Sequence, residues 1–187
     1  PVDPGLERAA NRPERHRLSD SVPTVDDNRP FFTESLHDFA QQEQREAFVS
    51  AIADAKVPTV ANDGTTGDVD RVLAAAQAAF PGWRDRPQQD RSDVLLKAAA
   101  AMRARRDELS GVLIRESGKT WREADADVCE AIDFCEYYAR QAFALETPRR
   151  LGEFIGELDL SYHEGRGVSV IISPWNFPLA IFTGQIA

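Results

Sequence analysis

Val168-Ser169-Val170-Ile171-Ile172-Ser173-Pro174-Trp175-Asn176-Phe177-Pro178 decides how this chain is read. Its first five residues are a β-branched run of the kind that suits a strand covered on both faces in a parallel sheet. Pro174 and Pro178 fix φ and hold the residues between them extended. Ala180-Ile181-Phe182 and onward then reads as the start of a helix. Ligand sites in α/β sheets lie at the carboxyl ends of strands, and this loop occupies such an end. Asn176 offers a side-chain amide that suits a developing oxyanion. A rigid strand-to-helix connection with a packed Trp explains the same residues equally well.

Moving upstream, Leu158, Leu160 and Tyr162 alternate with Asp159 and Ser161, the pattern of a half-buried strand. Glu164-Gly165-Arg166-Gly167 is a turn. Before it the period is helical. Val128, Ile132, Cys135, Ala139 and Ala142 predict one helix over 120–146, closed by Pro148. Val94, Leu95, Ala98, Met102, Leu109, Val112 and Leu113 predict another over about 90–116, ended by Gly118. Val69, Val72, Leu73, Ala76 and Phe80 form one stripe of a helix over 68–80, which Pro81-Gly82 stops. Phe39, Ala47, Phe48, Val49 and Ile52 suggest a short helix at 40–54, and Val57–Val60 a brief strand. Asn62-Asp63-Gly64-Thr65-Thr66-Gly67 is turn chemistry.

Three segments follow: a linker or extended arm at 1–30, an N-terminal arm with short elements at 31–67, and an α/β portion at 68–187. The first holds Pro1, Pro4, Pro13, Pro23 and Pro30 with few apolar residues. Residues 151–166 form a β-hairpin-like segment within the last. A helix that begins directly after one buried strand is not a finished domain, since that parallel strand needs partners. The chain is expected to be the N-terminal part of a larger protein, incomplete at its C-terminus. Its opening at Pro1 rather than Met points to residues removed or omitted upstream.

Charge excludes some functions. The 22 Lys+Arg face 31 Asp+Glu for a net charge of −9, and the Arg residues are interleaved with acids, so no basic stripe for nucleic acid forms. No apolar run reaches the ~18 residues of a membrane span, and no secretory signal opens the chain. Two cysteines at Cys129 and Cys135 make no disulfide scaffold, and a reducing, cytoplasmic setting is expected. His16, His37 and His163 lack metal-ligand spacing.

Other motifs divide between chemistry and packing. Ser117-Gly118-Lys119-Thr120 invites a phosphate-loop reading, but Leu113 stands where the pattern needs Gly, and helix rather than strand precedes it. A helix C-terminus is the better account. Cys129 and Cys135 sit mid-helix beside Glu130 and Glu136, as buried inert thiols would. Glu130, Asp133 and Glu136 form an acidic cluster, which by spacing alone is more often a solvated helix face than an acid–base site.

Ser173-Pro174-Trp175-Asn176-Phe177-Pro178-Leu179-Ala180-Ile181-Phe182-Thr183-Gly184-Gln185 resembles the aldehyde dehydrogenase superfamily. Within it, the Phe-Thr-Gly-Gln continuation is similar to the glutamate-semialdehyde (delta-1-pyrroline-5-carboxylate) dehydrogenases, including the module found in bifunctional proline-utilisation flavoenzymes. Asp68-Val69-Asp70, Ala79–Arg84, Arg115–Thr120, Glu130–Phe134 and Tyr137-Tyr138-Ala139 resemble the same group. Phe31-Phe32-Thr33-Glu34, Asp38-Phe39 and Arg45 do so more weakly.

The resemblance implies a fold, a cofactor and roles. Helices would pack on the first strand of a Rossmann-like NAD-binding domain, beside a β segment used for oligomerisation, so a homo-oligomer is expected. Asn176 would donate its amide to the oxyanion of a thiohemiacetal. Ile172, Ser173, Pro174 and Trp175 would line the nicotinamide–ribose end of the NAD site. Phe177 would wall the aldehyde pocket, and Glu130 would face its substrate end. FAD would enter only through a proline dehydrogenase module upstream. The family's nucleophilic Cys, its Glu base, its ribose-binding Lys and its phosphate-binding glycine turn have no counterpart in these residues. The expected reaction is NAD-dependent oxidation of L-glutamate gamma-semialdehyde to glutamate by the parent protein, with this stretch alone inactive. Two alternatives are a non-catalytic oligomerisation or interaction fragment and an aldehyde dehydrogenase of different substrate.

Overall fold

The computed structural model describes residues 31–61 and 63–187. The linker expected at 1–30 lies outside them, as does Asn62 in the expected turn. The described elements run α1 (Gln42–Asp54), α2 (Thr66–Arg84), α3 (Gln88–Ala104), α4 (Arg106–Ser117), α5 (Trp121–Glu146), β1 (Arg149–Phe154), β2 (Glu157–Ser161) and α6 (Ala180–Ile186).

Helix α5 is the spine. Thr120 caps it: its hydroxyl accepts from the Glu123 N–H, and the Glu123 carboxylate accepts from the Thr120 N–H at 3.0 Å. Such a reciprocal cap satisfies donors that every helix start leaves open. Helices α3, α4 and α6 all pack on α5. The core is Ala99, Leu113, Ala124, Val128, Ile132 and Cys135, with Leu95, Met102, Leu109 and Leu179 against it. The stripe read from the sequence at 128, 132, 135 and 139 is the buried one.

Residues 31–39 add a layer that spacing did not suggest. They run along α5 in the opposite direction. The Phe31 ring meets Tyr137 edge-on, the Glu34 N–H donates to Asp133 at 2.7 Å, and the His37 N–H donates to Asp125 at 2.8 Å. Phe39 then meets Trp121, and both enclose fully buried Phe48 of α1.

Several expectations need correction. The helix expected over 90–116 is two helices, α3 and α4, broken at Arg105. Asp107 and Glu108 stand in the first turn of α4, where the helix dipole favours acids. Helix α2 passes through Pro81 to Arg84 instead of stopping there. Near a solvated helix end a proline forfeits one hydrogen bond only, and the Pro81 carbonyl still accepts from Asp85 at 3.0 Å. Residues 57–60 form no strand.

Where a β-hairpin-like segment is expected over 151–166, a hairpin spans residues 149–161, β1 antiparallel to β2. Its strand is not half-buried, however, because Leu158, Leu160 and Tyr162 are all exposed. Alternation marks a strand with two unlike faces but cannot supply the surface that covers the apolar one. The β-branched run 168–172 joins no sheet among the described residues. A parallel strand takes its hydrogen bonds from its neighbours, and β1 and β2 pair only with each other.

Candidate active-site loop

Residues 172–180 connect the open extended stretch to α6. Within them the Phe177 N–H donates to the Pro174 carbonyl at 3.4 Å, closing a turn with Trp175 and Asn176 at its crest. Both crest residues are exposed, Trp175 at 83%. Ile172 is exposed to the same degree, and Ser173 is half-buried. Six of the expected site residues, Ile172 to Phe177, thus lie on one short, mostly solvent-facing segment.

The turn is tied to α5 behind it. Asp127, 2% exposed, accepts the Ala180 N–H at 2.6 Å. Its second oxygen lies 3.0 Å from the Lys119 ammonium, which also sits 4.6 Å from the centre of the Phe177 ring. Lys119 follows Gly118, whose φ of +69° ends α4 in the left-handed region that favours glycine. The helix-end reading of Ser117–Thr120 is thus the correct one. One turn into α6, Gly184 lies so close to α5 that an added Cβ would stand 2.9 Å from the Phe134 ring.

Glu130 is exposed on α5. Positions 127, 130 and 134 share one helix face, so Glu130 lies along the stripe that carries α6. The acidic cluster as a whole is not a solvated face. Glu136 is buried between Arg103, 3.1 Å away, and Arg140, while Asp133 receives the Glu34 amide. Spacing groups these acids by sequence distance, but each meets a different neighbour.

Neither thiol is placed for attack. Burial pushes Cys129 up to about 12 and Cys135 up to about 11, and a nucleophile must be a thiolate. No group of His, Cys, Asp or Glu among the described residues could hold a metal ion. No described helix is long and apolar enough to cross a membrane.

A nucleotide's fit can be judged on the backbone. Ile172 and Ser173 make no backbone hydrogen bond among the described residues. Buried polar backbone must be paired, and exposed extended backbone is available to a ligand's amide or hydroxyls. The segment fits that use.

Sequence reasoning missed Lys119 and Asp127 as parts of this site. The available signal was Asp127 itself, three residues after Ala124 and four before Ala131 on the buried stripe. A carboxylate there demands partners.

Residues 39–187 match the aldehyde dehydrogenase family, and the chain belongs to it. It is 44% identical over 115 residues to the 1-pyrroline-5-carboxylate dehydrogenase of Bacillus subtilis, covering 62% of this chain and 22% of that one. It is 36% identical to 1-pyrroline-5-carboxylate dehydrogenase 2 of Halalkalibacterium halodurans, covering 83% of this chain and 36% of that one. Among solved structures, Thermus 1-pyrroline-5-carboxylate dehydrogenase with bound NAD aligns at a TM-score of 0.76 and 37% identity, over 84% of this chain and 37% of that one. Proline utilization A from Bdellovibrio bacteriovorus aligns at the same TM-score with 34% identity, over 84% and 20%. The chain thus spans between a fifth and two-fifths of the length of these relatives.

Proposed function

We propose that the protein carrying these residues oxidises L-glutamate gamma-semialdehyde to glutamate with NAD, and that residues 172–177 and Glu130 form one wall of its active site. The observation that carries the reading is the exposed Trp175-Asn176 turn, held from behind by α5 while its crest stays open. The similarity to 1-pyrroline-5-carboxylate dehydrogenases supports the choice of aldehyde.

In this reading the Asn176 amide donates to the substrate oxygen as negative charge develops on it. A donor fixed before the reaction pays no reorganisation cost during it, which is why one such group weighs heavily on rate. Phe177 covers the carbon chain of the aldehyde, and Glu130 faces its far end. The backbone of Ile172 to Trp175 receives the nicotinamide–ribose end of NAD, which when bound accepts the hydride. The nucleophile is neither Cys129 nor Cys135, since both are buried and protonated. The hairpin β1–β2, with Leu151, Phe154, Ile155 and Leu158 exposed, is the surface proposed to meet another subunit.

The test is Asn176→Ala in the whole protein, with NADH formation from the semialdehyde as readout. A fall in kcat of about 10²–10³ is expected. A fall of less than about threefold would reject the role, because oxyanion donors cost far more on removal.

A further inference from the structure

The turn that presents Asn176 is braced by two residues that never reach the crest. We infer that Lys119 and Asp127 are positioning residues for Asn176, setting the turn's height above α5 through the Phe177 ring and the Ala180 N–H. The inference rests on the oxyanion reading of Asn176.

The brace has three points. Lys119 is the single residue between Gly118, which ends α4, and Thr120, which caps α5, so its backbone has little freedom. Its ammonium lies 3.0 Å from Asp127 and 4.6 Å from the Phe177 ring centre. A cation over an aromatic face is attracted by the ring quadrupole, and more strongly where water is excluded. The Lys119 side chain is only 11% exposed. The other oxygen of Asp127 accepts the Ala180 N–H at 2.6 Å, a donor that α6 itself leaves unpaired. Asn176 precedes Phe177 directly and stands four residues before Ala180. A shift at either contact therefore moves its amide.

A merely structural salt bridge would hold α6 to α5 without regard to chemistry. The two roles differ in their coupling to Asn176. Removing Lys119 alone leaves a buried carboxylate unpaired and endangers folding, so the working variant is the neutral pair Lys119→Met with Asp127→Asn. It keeps the hydrocarbon over Phe177 and an oxygen for Ala180, and it removes both charges. The whole protein is assayed with and without Asn176→Ala, and hydrogen exchange is followed at the amides of 175–180.

The expected result is a kcat lower by about 10- to 100-fold, the scale of a misplaced catalytic group. KM for the aldehyde stays within about twofold, and the pair adds no further loss once Asn176 is Ala. Exchange at Phe177 and Ala180 accelerates. Equal losses with and without Asn176 would overturn the inference, as would unchanged exchange at Phe177 and Ala180. An Asn176→Ala variant that keeps its activity would instead reject the oxyanion reading. The exchange data would then still report whether the pair holds the turn.

Discussion

Glu34 and Arg103 are 69 residues apart in the chain, yet the Glu34 carboxylate takes hydrogen bonds from Nε at 3.1 Å and Nη2 at 3.0 Å of the one guanidinium. That Nη2 also reaches Glu136 at 3.1 Å, so one cation joins the N-terminal arm, α3 and α5. The Glu34 and Glu136 side chains are 6% and 8% exposed. Burial disfavours the charged arginine, but the two carboxylates outweigh it and hold its pKa above the usual value.

Arg103→Met removes the shared partner and leaves both carboxylates buried. The expected loss of stability is about 3–5 kcal/mol, the scale of breaking a buried pair from one side. Urea unfolding measures it. A loss under about 1 kcal/mol would place the contact among surface ion pairs.

Asp125 gives the fold an acid limit. Burial alone would raise its pKa. Hydrogen bonds from the His37 ring at 2.7 Å and the His37 N–H, together with the Arg106 charge, outweigh burial and hold it below the usual value. A depressed carboxylate contributes stability that is complete above its unfolded pKa of ~3.9 and is lost as pH falls through the folded value. Asp125→Asn is therefore expected to cost about 1.5–3 kcal/mol near neutral pH. The difference from wild type should close on acidification. Unfolding midpoints taken at a series of pH values test this, and a difference that does not change with pH would contradict it.

Gly184 sets the distance between α6 and α5. Gly184→Ala drives a methyl into the Phe134 ring, where the nearest atoms would lie at 2.9–3.0 Å. Overpacking of this kind costs about 1–3 kcal/mol. Phe134→Leu should recover part of the loss, because the smaller side chain vacates the space. If the double variant is no more stable than Gly184→Ala alone, the contact is not the source of the strain.

Much of the fold is legible in local pattern. The stripe at 128, 132, 135 and 139 marks the buried face of α5, and Gly118 marks the end of α4. These signals act within one or two helical turns, so chain order alone carries them. The 174–178 segment is legible only as a loop, because Pro174 and Pro178 predict extended residues between them, whereas the Phe177 N–H bond to the Pro174 carbonyl closes a turn there. The break at Arg105 is not, because Arg, Asp and Glu are all compatible with a continuing helix.

What the sequence determined by itself is therefore the helical order, the stripe that goes inside, and the candidate site residues on one loop. Only the tertiary structure decided which acids are buried and who answers them. Asp127 meets Lys119 and Ala180, Asp125 meets His37 and Arg106, and Glu136 meets Arg103 and Arg140. Glu130, in the midst of them, stays at the surface. The physical reason is that periodicity reports which way a side chain points. The partner that makes a buried charge tolerable arrives from elsewhere in the chain, in Arg103's case across 69 residues to Glu34.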